Sequence, residues 1–203
     1  MQPFTTVTGA AAPLPAANVD TDVIMPKQFL KGIDRAGLDR GAFHDLRFAP
    51  DGSPRPDFVL NRPGWEETRF LVVGPNFGCG SSREHAVWGL LQLGIRAIIG
   101  TTFAGIFADN AANNGLLLVS LDPGAVSALL ARAADPEGNR LTVDLPGETI
   151  LAGDGTRHPF EIPPSRKDTL IRGVDAIGTT LDRAAEIRAF EARHHAAQPW
   201  LAR

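Results

Sequence analysis

Two glycines, two adjacent hydroxyls, a guanidinium and an acid–histidine pair follow one another in Gly78-Cys79-Gly80-Ser81-Ser82-Arg83-Glu84-His85. The run lies between an apolar stretch that stops at Gly74 and a stretch of helical periodicity. In open α/β sheets that strand-to-helix junction is where ligands bind. Gly78 and Gly80 permit backbone angles closed to other residues and let a ligand come near the chain. Ser81-x-x-Glu84 matches a capping box, so Ser81 is the expected N-cap, with the unpaired first-turn N–H groups facing any anion. Arg83 adds a planar fork that grips a carboxylate by two hydrogen bonds. The chemistry that suits such a set is proton transfer beside a carboxylate. Aligned donors and a cation lower the pKa of the Ser81 hydroxyl and stabilise negative charge developing on a substrate.

Spacing alone equally supports an ordinary helix start. No Lys-Ser/Thr closes the run as in a nucleotide-phosphate loop, and the third glycine of a dinucleotide fingerprint is missing. Cys79 has no evident base partner and reads as a small packing residue before a thiolate. His85 lies inside the helix and reads as a core or supporting histidine. Glu84 reads as the reciprocal cap rather than as an acid.

The elements that must position this run are legible around it. Phe70–Val73 is a buried strand, and Ser82–Leu93 a helix stopped by Gly94. Ala97–Ile99 is a second strand, Phe103–Ala112 a helix ended by Asn113-Asn114-Gly115, and Leu116–Leu121 a third strand. Asp122 as N-cap and Pro123 at the first helical position open a further helix that runs to about Ala134. Strand–helix alternation of this kind gives an α/β core with parallel strands. Beyond Gly138 short strands are expected at 141–143, 149–151 and 158–162, with a turn at Gly153-Asp154-Gly155. A last helix is expected at about 181–193, with Leu181, Ala184, Ala185, Ile187, Ala189 and Phe190 on one apolar face. Gly32–Pro63 is rich in Gly, Pro, Asp and Arg and reads as a long excursion, with a short helix near Gly41–Phe48.

Bulk properties restrict the function classes. A chain of 203 residues with 43% hydrophobic residues suits one globular domain spanning 1–203. A net charge of −3 without a basic stripe argues against nucleic acid. No apolar run is long enough to cross a bilayer, and Met1-Gln2-Pro3-Phe4 lacks the pattern of a secretory leader, so a cytoplasmic location is expected. The one cysteine, Cys79, cannot form an internal disulfide and cannot alone hold an iron–sulfur cluster. His44, His85, His158, His194 and His195 lack zinc-ligand spacing, so no metal is expected on this chain.

Several motifs together resemble one family. Gly80-Ser81-Ser82-Arg83-Glu84-His85 is similar to the signature of the swivelling domain of the aconitase superfamily. Asn18-Val19-Asp20-Thr21-Asp22-Val23-Ile24-Met25-Pro26-Lys27-Gln28-Phe29-Leu30 resembles the opening motif of the bacterial 3-isopropylmalate dehydratase small-subunit family. Asn76–Gly80, Phe103–Phe107 and Asn113–Leu117 match the same family, in order and over nearly the whole chain. The resemblance implies a mixed, barrel-like sheet flanked by helices. It implies a separate large subunit that carries a [4Fe–4S] cluster, with no cofactor on this chain, and a small dicarboxylate substrate. It implies the dehydration of 2-isopropylmalate to 2-isopropylmaleate and rehydration to 3-isopropylmalate, a step of leucine synthesis.

In that family the first serine of the motif is the base, here Ser81, and Gly80, Ser82 and Arg83 fall on substrate-binding positions. Thr21, Asp22, Lys27, Cys79, Glu84 and His85 are expected in support, with Asp22 orienting Arg83 or another cation. Aconitase-type domains supply one more substrate-binding arginine. None matches here, and Lys27 or Lys31 as its substitute is left open. The excursion is expected to shape the pocket or the contact with the large subunit. Homoaconitate, citraconate and dimethylmalate stand as alternative substrates, since one methylene in an apolar pocket is worth only about 1–3 kcal/mol. A non-enzymatic anion-binding module with Cys79 as a redox sensor is the third possibility.

Overall fold

The computed structural model describes residues 1–31 and 35–201. Its strands are β1 (Thr6–Leu14), β2 (Thr68–Val73), β3 (Ala97–Gly100), β4 (Leu117–Ser120), β5 (Arg140–Asp144), β6 (Thr149–Ala152) and β7 (Arg157–Pro159). They form one mixed sheet in the order β4-β3-β2-β1-β5-β6-β7, the half-barrel of the expected fold class. The strands β1 to β4 run parallel, and β5, β6 and β7 are antiparallel to their neighbours. The helices are α1 (Thr21–Ile24), α2 (His44–Arg47), α3 (Glu84–Gln92), α4 (Gly105–Asn114), α5 (Pro123–Ala133), α6 (Pro164–Arg172), α7 (Ala176–Leu181) and α8 (Ala184–Ala197).

The parallel strands are buried on both faces, which is why they read as unbroken apolar runs. Phe70, Val72, Ile99 and Val119 face Val126 and Leu129 of α5. Leu71, Val73 and Ile98 face Ala86, Val87 and Leu90 of α3 and Phe107 and Ala111 of α4. The two sheet types meet on β1. Its first half pairs antiparallel with β5, its second half parallel with β2, and the register shifts between Ala10 and Ala11. That irregularity is satisfied by Trp65, whose indole N–H is shared between the carbonyls of Ala11 and Ala133, each at 3.1 Å. Asn139 completes the junction: its carbonyl accepts from Ala11 N–H at 2.8 Å, and its side chain donates to Gly64 O at 2.9 Å.

The excursion carries its own framework where it is described; its residues 32–34 lie outside the described residues. The short helix expected near Gly41–Phe48 is α2, flanked by a 3₁₀ turn (Leu38–Arg40) on one side and a second 3₁₀ turn (Val59–Asn61) on the other. Arg47 holds them together. Its Nη1 donates to the carbonyls of Asp39 (2.6 Å) and Ala42 (3.1 Å), and Asn61 Nδ2 donates to the Arg47 carbonyl at 2.6 Å. Burial pushes the Arg47 guanidinium below its usual pKa, with Asp39 partly opposing the shift.

Two expectations in the C-terminal half hold with shifted bounds. The strand expected over 158–162 is β7, which closes at Pro159 after one last bond from Phe160 N–H to Glu148 O at 3.0 Å. The helix expected at about 181–193 is α8, which starts three residues later and runs on to Ala197; the separate α7 precedes it, parted from it at Asp182-Arg183, where Arg172 Nη2 reaches back to the Asp182 carboxylate at 2.5 Å. No residue of α8 is buried, and Leu181 and Phe190 are exposed. The apolar face is present in the sequence but finds no surface to cover within this chain.

Candidate functional site

The site forms where β1, β2 and β3 run out of the sheet. Gly74 N–H still donates to Leu14 O at 3.0 Å, as the last rung. The three segments then stay side by side beyond the strands. Asn18 and Asn76 each take the left-handed conformation, at φ 57°, and their side chains meet at 2.8 Å. Gly78 N–H donates to Val19 O (2.8 Å), Asp20 bridges Cys79, and Thr21 N–H donates to Cys79 O (2.8 Å). On the other side Phe77 bridges Phe103, and Asn76 N–H donates to Thr102 Oγ1 at 2.9 Å. A small second parallel layer is thereby built from three loops, with 77–81 in its centre.

Glycine is required at Gly78, where φ is +78° and a Cβ would fall on the buried Phe107 ring. Gly80, at φ +93°, then turns the chain outward, and Gly80, Ser81 and Ser82 are exposed.

The serines do not cap the helix. The expected capping box is overturned, because α3 starts only at Glu84, with Arg83 at the cap position and no side-chain cap bond. Tertiary partners hold the two residues instead, at the Ser81 carbonyl and the Glu84 carboxylate. Thr21, only 2% exposed, donates its hydroxyl to the Ser81 carbonyl at 2.9 Å. The Glu84 carboxylate accepts from Asn114 Nδ2 at 2.7 Å. The Ser81 hydroxyl is left uncommitted among the described residues, while the backbone beneath it is held.

Arg83 is the site's placed cation. Its side chain is 16% exposed and its Nη1 pairs with the half-exposed Asp22 and with Met25 O at 3.4 Å. Asp22 comes from α1, whose N-cap Asp20 accepts from Val23 N–H at 2.8 Å. Both contacts use Nη1, which leaves the Nε–Nη2 edge without a partner among the described residues.

The other expected site residues divide. Cys79 is half-buried in the central loop, and His85 stacks against Trp88 at 4.7 Å between ring centroids, turned to the helix flank. Lys27 and Lys31 are exposed at the two ends of the 3₁₀ segment Lys27–Lys31. Among the described residues no three His, Cys, Asp or Glu side chains converge to hold a metal ion, and one thiol does not fit a cluster. A groove of about 780 Å³ lined by Thr180, Arg183, Glu186, Phe190 and Arg193 touches none of the site residues. Sequence reasoning misses Thr21 as a donor to Ser81 and misses Asn114 altogether. The signals for Asn114 are the helix-ending Asn113-Asn114-Gly115 and the family match over Asn113–Leu117, neither of which names its partner.

Comparison with known proteins agrees with the architecture. The family model of the aconitase C-terminal domain matches residues 1–124, and one described as LeuD_N matches 127–164. The model of the C-terminal domain of the 3-isopropylmalate dehydratase small subunit matches 177–203. The chain is 55% identical over 201 residues to 3-isopropylmalate dehydratase small subunit 1 of Mannheimia succiniciproducens, covering 99% of both chains. It is 54% identical over 203 residues to small subunit 2 of Salmonella typhimurium, covering all of this chain and 97% of the relative. With the small subunit of Paracoccus denitrificans it shares 48% identity over 201 residues, 99% of this chain and all of the relative. Among solved structures, the crystal structure of 3-isopropylmalate dehydratase from Methanocaldococcus jannaschii superposes with a TM-score of 0.67 at 25% identity, over 92% of this chain and 99% of that one. Among the described residues no helix is long and apolar enough to cross a membrane.

Proposed function

The chain belongs to the family of 3-isopropylmalate dehydratase small subunits, and from that premise we propose that it completes, with a separate large subunit, an enzyme isomerising 2-isopropylmalate to 3-isopropylmalate in leucine synthesis. The observation that carries the reading is the treatment of Ser81. Its carbonyl is fixed by buried Thr21, its hydroxyl is uncommitted and exposed, and Arg83 stands two residues on with one guanidinium edge open.

In this reading the open edge of Arg83 takes a substrate carboxylate in a two-point grip. Ser81, as alkoxide, removes a proton from the carbon next to that carboxylate and becomes the neutral hydroxyl. The electron pair forms the double bond of 2-isopropylmaleate as the neighbouring hydroxyl departs, taking a proton from solvent to leave as water. Rehydration runs the same steps with the positions exchanged: water adds to the carbon that lost the proton, and Ser81 returns a proton to the other carbon. Because α3 starts at Glu84, its first-turn N–H groups do not surround Ser81 as a capping box would. Arg83 is then the cation that this chain supplies to the site, and a cation nearby favours an alkoxide over the neutral hydroxyl.

The large subunit is the proposed holder of a [4Fe–4S] cluster that binds the departing hydroxyl, supported by the lone Cys79 of this chain. The pair is assigned to the cytoplasm on the same support. The test is Ser81→Ala in the chain purified together with its large subunit. Turnover of 2-isopropylmaleate is expected to fall by about 10²–10⁴-fold with the pair intact. Turnover near the unsubstituted rate removes Ser81 from the base role, and hydration by the isolated chain removes the two-subunit reading.

A further inference from the structure

The first turn of α3 follows directly on the site yet has no side-chain cap at its N-terminus. The group that holds it comes from α4. Asn114, the last residue of α4, donates from Nδ2 to Glu84 Oε1 at 2.7 Å and to Asn110 O at 2.8 Å. Its Oδ1 accepts from Trp88 Nε1 at 2.8 Å. Glu84 and Trp88 stand one turn apart on the same face of α3, so one amide ties two successive turns of that helix.

The arrangement needs an amide. The Glu84 carboxylate only accepts, the indole only donates, and the side chain between them must offer both on a short stem. Asn114 sits at the end of its helix because Gly115, at φ 83°, closes α4 there with its N–H on Ala111 O. The same indole also receives the excursion: the Arg35 guanidinium lies over the Trp88 ring at 3.9 Å, and the Gln92 side chain binds both the Arg35 carbonyl and Leu38 N–H. Trp88 is thus clamped from above by the excursion and from the side by α4.

We infer that Asn114 is a positioning residue for the isomerisation: by holding Glu84 and Trp88 it sets the first turn of α3, and with it the placement of Arg83 and Ser81 just ahead. The inference rests on the reading of Ser81 and Arg83 given above. Asn114 touches no substrate and acts through the backbone that joins Glu84 to Arg83. It ties down, from thirty residues away in sequence, the side chain of the first residue of a helix that has no side-chain cap of its own.

The polarity of the contact supplies a test that a generic packing role does not pass. In Asn114→Asp two carboxylates face each other and the donor to Glu84 is gone. Adding Glu84→Gln restores a donor: the amide introduced on α3 gives a hydrogen bond to one oxygen of the new carboxylate while Trp88 keeps giving one to the other. The chain is prepared with its large subunit, and turnover of 2-isopropylmaleate is measured per assembled pair, well below the thermal midpoint. For Asn114→Asp, kcat is expected to fall about 10–100-fold with a smaller change in KM, as misplacement of reacting groups by about an ångström does. The E84Q/N114D double variant is expected to recover most of the loss.

Asn114→Ala, which leaves Glu84 and Trp88 to water, gives an intermediate fall and serves where the aspartate variant does not assemble. Turnover near wild type in both single variants overturns the inference. So does a loss of assembled pair with unchanged kcat in what remains, and so does a double variant no better than Asn114→Asp. Ser81→Ala run in parallel separates the two readings. If it keeps its turnover while Asn114→Asp loses it, the base assignment fails. If it loses turnover while Asn114→Asp and Asn114→Ala keep theirs, the positioning of α3 by Asn114 fails alone.

Discussion

The loop Gly78–Arg83 and the C-terminal arm of α7 and α8 are both exposed, and they are exposed in opposite ways. The loop shows polar groups to solvent from a backbone tied down on two sides: to Val19, Asp20 and Thr21 along one edge and to Thr102–Ala104 along the other, with Asp22 on Arg83 and Asn114 on Glu84. The arm shows apolar groups, with Phe190 58% and Trp200 73% exposed, on helices held mainly by their own backbone bonds. Polar groups held out by a rigid frame are preorganised for a ligand, with little reorganisation left for the moment of reaction. Apolar groups held out by nothing mark a surface that contributes little to the stability of the chain that carries it.

The largest expected effect breaks the loop's frame. Gly78→Ala puts a methyl onto the Phe107 ring in a left-handed conformation. The overlap and the backbone strain together are expected to cost about 3–5 kcal/mol, which for a chain of this size lowers the thermal midpoint by roughly 6–20 °C. Gly155→Ala is the control. It has a similar φ, +88°, with nothing within 4 Å of the added carbon, so only the strain of about 1–2 kcal/mol is expected. Equal midpoints for the two variants would show that Phe107 yields and that the frame is softer than its contacts suggest.

Arg83→Lys keeps the frame and removes the fork. The melting midpoint is expected to stay within about 2 °C, since the Asp22 partner is half exposed and such pairs contribute little to stability. In the assembled pair, kcat/KM is expected to fall about 10–100-fold, the worth of one lost charge-assisted hydrogen bond. Thr21→Val is milder. It removes the donor to Ser81 O without changing shape, and Thr21 is buried but Ser81 is exposed, so the carbonyl can turn to water. About 1 kcal/mol of stability and a several-fold drop in kcat are expected.

What the sequence discloses of these two regions follows from how local the forces are. The α/β core is legible from Phe70 to Ala134. Doubly buried strands leave apolar runs, and Asp122-Pro123 and Asn114-Gly115 mark helix ends by local chemistry alone. Of the two pairings open to Asp22 in the sequence, with Arg83 or with another cation, the contact formed is the one with Arg83. The start of α3 is not legible in the same way, because Ser81-x-x-Glu84 satisfies a local rule that two distant residues override. Thr21 lies sixty positions from Ser81 and Asn114 thirty from Glu84, and no spacing within a window reveals either. The arm misleads for the complementary reason. Amphipathic spacing states which residues seek cover and is silent on which chain provides it.

The smallest effect tests that last point. Ending the chain after Arg183 removes α8 and the residues that follow it, including Phe190 and Trp200. No residue of α8 is buried, so almost no apolar area returns to water from the rest of the fold. The nearest tie to the core, Arg172 to Asp182, lies on the retained side of the cut. The midpoint of the isolated chain is therefore expected to move by no more than about 2 °C, within the roughly 0.5 kcal/mol of an ordinary surface change. A fall of 5 °C or more would mean that the arm packs on the sheet after all and would erase the contrast with the loop. Co-purification with the large subunit, read on the same truncated chain, then assigns the exposed residues. Pairing lost at an unchanged midpoint ties Phe190 and Trp200 to the assembly, and pairing retained leaves the joining of the subunits to the surface around Ser81 and the excursion.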